Sequence, residues 1–317
     1  MKKKSILVLR AVVLSIFFSA FVLFTGCDDS SSIQTPDDIN SDKAAMQQLA
    51  DQDSAISSFE PNFNEENVMD FLGKVSTEIY PFKVGQVMRL VSRDFSVNIQ
   101  GDTAYGRVTK TFEGNLLILA SYDSAANQPD TLIKKPMTVV ITRNVIFVRR
   151  ANTDNPYNNW RIAAISLPEG GTSSHPNIDL KKITIFLPNG DTLEVNSPND
   201  YYLSRGPGWW RQLPVIPRNE TTLIRVELTS SYSEDDFVTL TYGAMGNGLH
   251  RAKKRFVLVS STPNGNVFDK VYEQSYTTHQ FPGFFHAIIN AFPYFAIKDD
   301  SAPVESESWG VPYLVKF

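Results

Sequence analysis

The residues of this chain that could do chemistry are few and scattered. Its four histidines are His175, His250, His279 and His286. No two stand at the i, i+4 spacing of a helical metal pair, and none falls at a zinc-ligand spacing from a cysteine. His279 and His286 flank Gln280-Phe-Pro-Gly283, which reads as a turn and makes them loop residues before ligands. Acids gather at Asp299, Asp300, Glu305 and Glu307. Oxygen ligands of this kind suit calcium, but the spacing is not that of an EF-hand loop, and solvated loop acids are the simpler reading. The dense basic run Arg251-Ala-Lys-Lys-Arg255 fits an anionic glycan, phosphate or headgroup surface. It fits equally the shoulder of a hairpin whose charges discourage edge pairing. The loop Pro207-Gly-Trp-Trp-Arg211 places Trp209, Trp210 and Arg211 together. Adjacent indoles offer a stacking platform for sugar rings or an anchor for a protein partner, and otherwise a plug between two domains. No Gly-x-Ser-x-Gly nucleophile turn occurs. No catalytic residue, metal or cofactor is implied by these groups.

The single cysteine, Cys27, has the most telling surroundings. Lys2, Lys3, Lys4 and Arg10 precede the apolar run Ala11–Phe24, which ends in Thr25-Gly26-Cys27. A basic start, an apolar stretch and small residues before a junction read as an export signal. With Cys at the junction, this segment resembles the signal peptides of bacterial lipoproteins. That resemblance implies acylation of Cys27, cleavage before it, and attachment through two or three acyl chains such as palmitate. One chain holds only marginally, at about 0.8 kcal/mol per buried methylene, so several are needed for a lasting anchor. Phe24 is larger than the Leu usual three residues before such a Cys. An uncleaved membrane helix is the rival, since the stretch from Ser5 to Phe24 is long enough to span, but Asp28-Asp29-Ser30-Ser31-Ser32 follows it with no basic stop-transfer cluster. The expected location is the extracytoplasmic side of the bacterial envelope, with the outer membrane or cell surface ahead of the inner membrane.

Composition limits the remaining choices. The 317 residues include 30 Lys and Arg against 34 Asp and Glu. Removing Lys2, Lys3, Lys4 and Arg10 with the signal leaves 26 basic groups against 34 acidic ones, a net charge of −8. That balance argues against a nucleic-acid partner, whose phosphates are met by Lys and Arg. With Cys27 taken by the anchor, no thiol remains for a disulfide, a metal or catalysis. The hydrophobic content of 42% is that of a globular body able to bury a core.

The elements that would position these groups follow in order. Residues 27–41 are polar and read as a flexible tether. Ser41 is a plausible helix cap ahead of Ala45, Met46, Leu49 and Ile56, and a second short helix is expected over Glu65–Leu72. From Val87 the period changes to two, with strands expected to Tyr122, over Pro136–Arg149 and over Asn159–Ser166. The stretch from Pro168 to Pro176 reads as a linker. Beyond it Lys182–Leu187, Pro188-Asn-Gly-Asp191 and Thr192–Val195 predict a tight hairpin, and further short strands run to Phe317.

Short helices followed by a curved antiparallel sheet ending in Trp160-Arg-Ile resemble the NTF2-like fold over residues 42–168, an α+β domain. Residues 179–317 resemble an immunoglobulin-like or fibronectin-III-like β-sandwich, with 169–178 between the two. The first resemblance implies a cone between helices and sheet, used as an enzyme site or a small-molecule carrier. The expected function is a membrane-anchored envelope lipoprotein with a non-enzymatic binding or assembly role. Its partners are the lipid bilayer through Cys27 and an envelope protein or glycan. The alternatives are an enzyme or carrier using the cone, and a glycan-binding surface module using Trp209 and Trp210.

Overall fold

The computed structural model describes residues 36–57, 69–70, 79–206, 213–244 and 252–316. The chain divides into two compact units, Met1–Ile39 and Asn40–Phe317. Of the first unit only residues 36–39 are described, and they are helical. Helix α1 (Pro36–Gln52) has proline at its first position and Asp37 and Asp38 in its first turn. This suits the free amides and positive end of a helix start. The helix therefore begins ahead of the expected cap at Ser41, and the end of the presumed tether is helical. Helices α2 (Ser54–Ser57), α3 (Pro156–Asn159) and α4 (Tyr294–Lys298) are single turns or little more.

Apart from a 3₁₀ turn at Pro198–Asp200, the other regular elements among the described residues are strands. The two-residue β1 (Met69–Asp70) precedes three long strands, β2 (Tyr80–Gln100), β3 (Thr103–Ser121) and β4 (Thr131–Arg149). Then come β5 (Trp160–Ser166), β6 (Glu169–Thr172), β7 (Ile178–Phe186), β8 (Thr192–Val195), β9 (Tyr202–Ser204) and β10 (Val215–Pro217). They are followed by β11 (Thr221–Ser230), β12 (Phe237–Ala244), β13 (Ala252–Arg255) and β14 (Val257–Asn264). The series closes with β15 (Val267–Thr277), β16 (Gly283–Phe292) and β17 (Glu307–Lys316). Twelve strands form one sheet along the path β1-β2-β3-β4-β6-β17-β16-β12-β13, with β5 attached at β4, β9 at β5 and β10 at β17. Five form a second sheet in the order β14-β15-β11-β7-β8. The pairings are antiparallel except that of β10 with β17. The hairpin predicted around Asn189-Gly190 is present as β7 and β8, with Gly190 at φ +89° supplying the left-handed turn residue.

This architecture corrects the α+β expectation. The body is all-β and sandwich-like, and among the described residues α1 is the only helix of seven or more residues. Of the helix expected over residues 65–72, the described part, Met69–Asp70, is a strand paired with β2. Among the described residues there is accordingly no helical lid pair to make an NTF2-like cone. The segment read as a linker, residues 169–178, contains β6, paired with β4 on one side and β17 on the other. Through β6 the larger sheet runs without a break from the N-terminal strands into the C-terminal ones.

Alternation explains both cores. In β3 the even positions Ala104, Val108, Phe112, Leu116, Ile118 and Ala120 are buried along the whole strand, as period two requires for one face. In β16, residues Phe285, Ala287, Ile289 and Ala291 join Ile183, Ile185, Ile224 and Val226 of the second sheet in one cluster. Ile288 and Phe292, on the opposite face of β16, join Phe112, Leu116, Val139 and the α4 residues Ala296 and Ile297 in another. Both faces of β16 are buried, so its sequence is almost unbroken in apolar residues.

A buried ion pair joins the loop before β12 to the second sheet. Lys270 Nζ lies 2.8 Å from Asp236 Oδ2, both side chains wholly buried. Asp236 Oδ1 accepts from Ser230 Oγ at 3.1 Å and from the Tyr294 amide at 2.9 Å, and the Asp236 amide donates to Tyr272 Oη at 2.9 Å. Burial pushes the Asp236 carboxyl up, and Lys270 pulls it back. Lys270→Met keeps the aliphatic stem but strands the carboxylate. It is expected to cost about 3–5 kcal/mol in urea denaturation, with partial recovery when Asp236→Asn is added. A loss below about 1 kcal/mol, the range of exposed pairs, contradicts this.

Candidate functional site

The positions singled out in the sequence do not converge. Cys27, His250, Arg251 and the loop residues Trp209, Trp210 and Arg211 lie outside the described residues. His175 is a half-buried loop residue. His279 packs against Tyr242 and Phe285, and His286 is buried edge-on to Phe284. Among the described residues no three His, Cys, Asp or Glu stand close enough to hold a metal ion, and no helix is long and apolar enough to cross a membrane. The described part of the basic run, Ala252–Arg255, forms β13, where Lys254 Nζ donates to Ser275 O at 3.0 Å and Arg255 pairs with Asp235 at 2.7 Å.

The acidic segment is a series of separate clamps. Asp299 Oδ1 accepts from the Ser301 amide at 2.9 Å, and Asp300 Oδ2 from Tyr122 Oη at 2.7 Å. Glu305 accepts from Asn177 Nδ2 at 2.8 Å. Glu307 accepts from the Leu180 amide at 2.6 Å and from Trp309 Nε1 at 2.8 Å, which ties β17 to the second sheet. Burial pushes the Glu307 carboxyl up to about 7 against the two hydrogen bonds that stabilise its charge.

The densest polar arrangement is at the end of α1. That helix has no basic residue in its last turn, yet its final carbonyls need donors. The sheet supplies donors to that end and to α2 just beyond it. Arg93 Nη2 donates to Ala50 O at 3.1 Å and lies 2.7 Å from Asp51. Lys110 Nζ reaches Ile56 O at 3.3 Å. Arg143 donates to Ala55 O and Ser166 O, and burial pushes its guanidinium down to about 9, with Asp53 raising it in part. Arg205 holds Asp53, whose Oδ1 also caps α2 through the amides of Ala55 at 2.9 Å and Ile56 at 3.0 Å. Further up α1, Asp42 accepts from Arg149 at 2.9 Å, and that guanidinium sits 4.5 Å above the Trp160 ring.

Beside this helix end lies a pocket of about 590 Å³, within the range of small-molecule sites. Leu49, Gln52 and Asp53 of α1 and its exit form one wall, and Tyr157 and Asn158 of α3 another. Trp160 and Ile162 of β5 also line it, as do the exposed Arg150 and Arg161. The α3 turn is braced: Asn155 caps it, Asn159 Oδ1 accepts from the Thr153 amide at 2.7 Å, and Tyr157 Oη donates to Gln52 Oε1 at 2.7 Å. Trp160 is 2% exposed, and its indole N–H meets no acceptor. Sequence reasoning used Trp160 only as a strand signal. The available hint was the spacing Arg149-Arg150 and Trp160-Arg161 around the turn-forming Asn155-Pro-Tyr-Asn-Asn159.

No protein-family model matches this sequence, and no curated protein matches it. The fold and the pocket together define an all-β, two-sheet body with a donor-rich cavity at the end of its long helix.

Glu307 generates a pH prediction. The folded carboxyl keeps its proton to about pH 7, whereas an unconstrained one releases it near 4.5, so the folded state binds more protons in between. This group's contribution to stability therefore falls as pH rises from about 4.5 to about 7 and is level above. The change is on the order of 3 kcal/mol at most. Glu307→Gln is expected to remove that slope from denaturation curves taken at pH 5, 6, 7 and 8. Identical slopes in the two proteins contradict the assignment.

Proposed function

We propose that this chain is a lipid-anchored protein of the bacterial cell envelope, held on the extracytoplasmic side through acylated Cys27. Its body acts by binding or assembly, not by catalysis. The observation that supports the anchor most is the sequence around the only cysteine: basic start, apolar run Ala11–Phe24, then Thr25-Gly26-Cys27 and an acidic, serine-rich continuation. The non-catalytic half is supported by how the body spends its reactive groups. The acids at 299–307 each serve a different backbone or side-chain donor. The buried cations Lys110 and Arg143 satisfy helix-end carbonyls. The pocket beside α1, of about 590 Å³, suits holding a ligand. A reproducible turnover of an envelope substrate that is lost with a pocket substitution contradicts this half.

Cys27→Ser tests the anchor. Expression in a Gram-negative host with a labelled fatty acid is expected to give a labelled, membrane-sedimenting wild-type protein. The variant is expected to be unlabelled and to keep its signal, running as the larger precursor. Retention of label in the variant, or normal processing of it, contradicts acylation at Cys27.

A further inference from the structure

The larger sheet has a gap along one side of β4. That strand pairs with β3 from Thr131 to Val148. On its other side β6 covers only Val139–Thr142, and β5 only Val145–Arg149. Among the described residues no strand lies beside residues 131–138 on that side. Pro136 has no amide proton to give β3, so it stands where the strand turns its backbone polar groups outward. Alternation turns those of Lys134 and Thr138 the same way, and all three residues are exposed. The open edge thus offers N–H groups at Lys134 and Thr138 and a carbonyl at each of the three. Residues 134–138 and 300–305 both line a groove of about 670 Å³, with Thr172 and Ser174. The second wall is held at both ends. Asp299 O accepts from Lys135 Nζ at 2.8 Å, and Asp299 Oδ1 from the Ser301 amide at 2.9 Å. The Ser306 amide donates to Thr172 Oγ1 at 2.9 Å, and Ser306 O accepts from the Thr172 amide at 2.9 Å. Between these ties, residues 300–305 give the β4 backbone no hydrogen bond among the described residues. The groove is therefore shaped before an occupant enters, which lowers the cost of binding.

We propose that this groove binds an extended peptide segment of a partner protein, added as a strand beside residues 134–138 in line with β6. Backbone donors and acceptors in a row select a polypeptide, whose own groups on one edge repeat at about 6.8 Å. The five β4 residues span about 14 Å, which is room for about four residues of the peptide. Its amides meet the outward carbonyls of Lys134, Pro136 and Thr138, and its carbonyls accept from Lys134 and Thr138. Lys134 is exposed and has no ion pair among the described residues, so the side chain beside it is acidic, as cross-strand pairing favours. On the opposite face of the added strand an apolar side chain rests against Met137 and Val304, which belong to the second core. The proposal gives the binding role of the body its partner and rests on that role, but not on the anchor. If it fails, the search for turnover still decides whether the body binds or catalyses, so the two failures are told apart.

Amide hydrogen exchange read by ¹⁵N–¹H spectra provides the test, on the mature chain expressed from residue 27 with Cys27→Ser. In the free protein the amides of Lys134 and Thr138 are expected to exchange at least ~10-fold faster than those of Lys135 and Met137, which face β3. The probe is a phage-displayed library of random short peptides, from which the tightest binder is synthesised. At saturation it is expected to slow Lys134 and Thr138 at least ~10-fold and to leave the amides of β11 unchanged. A strand shows alternate amides to its neighbour, so N-methylation of every second amide of the peptide should weaken binding at least ~10-fold in one phase and little in the other. Lys134→Glu reverses an exposed charge, so it is expected to keep the thermal midpoint and to weaken binding at least ~10-fold. Slow exchange at Lys134 and Thr138 in the free protein, or a library whose binders leave both unprotected, overturns the proposal. Undiminished affinity of both N-methylated forms or of Lys134→Glu does the same. Protection that rises with protein concentration without peptide makes a second copy the occupant, and that too overturns it.

Discussion

Four cations carried by strands or their ends grip the end of α1 and the short α2 that follows it, and the architecture around them depends on that grip. Arg93 and Lys110 stand directly opposite each other on β2 and β3, and Val108, two residues before Lys110, faces Arg143 on β4. Like charges facing each other across a sheet destabilise it, and Lys110 and Arg143 are buried besides. They are tolerable only because the carbonyls of Ala50, Ala55 and Ile56, with Asp51 and Asp53, are brought to meet them. The helix in turn has no basic residue of its own to satisfy its last turn. Each partner leaves the other with an unmet charge or an unmet carbonyl if it is removed.

That mutual dependence carries through to the pocket. Once the helix end is fixed, Gln52 and Asp53 are fixed with it, and Tyr157 is drawn to Gln52 from the other side. Arg149, spanning Asp42 and the Trp160 ring, sets the indole in place. The pocket is a by-product of closing a helix against a sheet that offers more donors than the helix can take. The rest of the body is assembled by similar clamps, with Asp236–Lys270 and Glu307 tying loop and strand to the second sheet.

Much of the strand content was legible because period two is a local property. The alternation of β3, the Asn189-Gly190 hairpin and the apolar run of β16 follow from neighbouring residues alone. The charges at inward positions did not declare themselves. Lys110, Lys135 and Arg143 interrupt inward faces, and nothing local names Ile56 O, Ala296 O or Ala55 O as their acceptors. The bridging strand β6 was taken for a linker because Glu169-Gly-Gly-Thr172 has turn composition. At Gly170 and Gly171, however, a Cβ would come within 2.5 Å and 2.1 Å of neighbouring backbone oxygens, so these glycines permit close pairing between two strands. The pocket was invisible for the same reason. Its walls come from residues 49–53 and 150–162, and only the folded helix end brings them together.

Native-state hydrogen exchange of the wild type and Arg143→Met tests the grip on the helix end most directly. If the sheet cations hold α1 and α2, amides from Leu49 to Ile56 are expected to exchange about a hundredfold faster in the variant. Those of β11, from Ile224 to Leu228, should keep their protection. Unchanged protection at Leu49–Ile56, or a uniform loss across both sheets, would contradict the account.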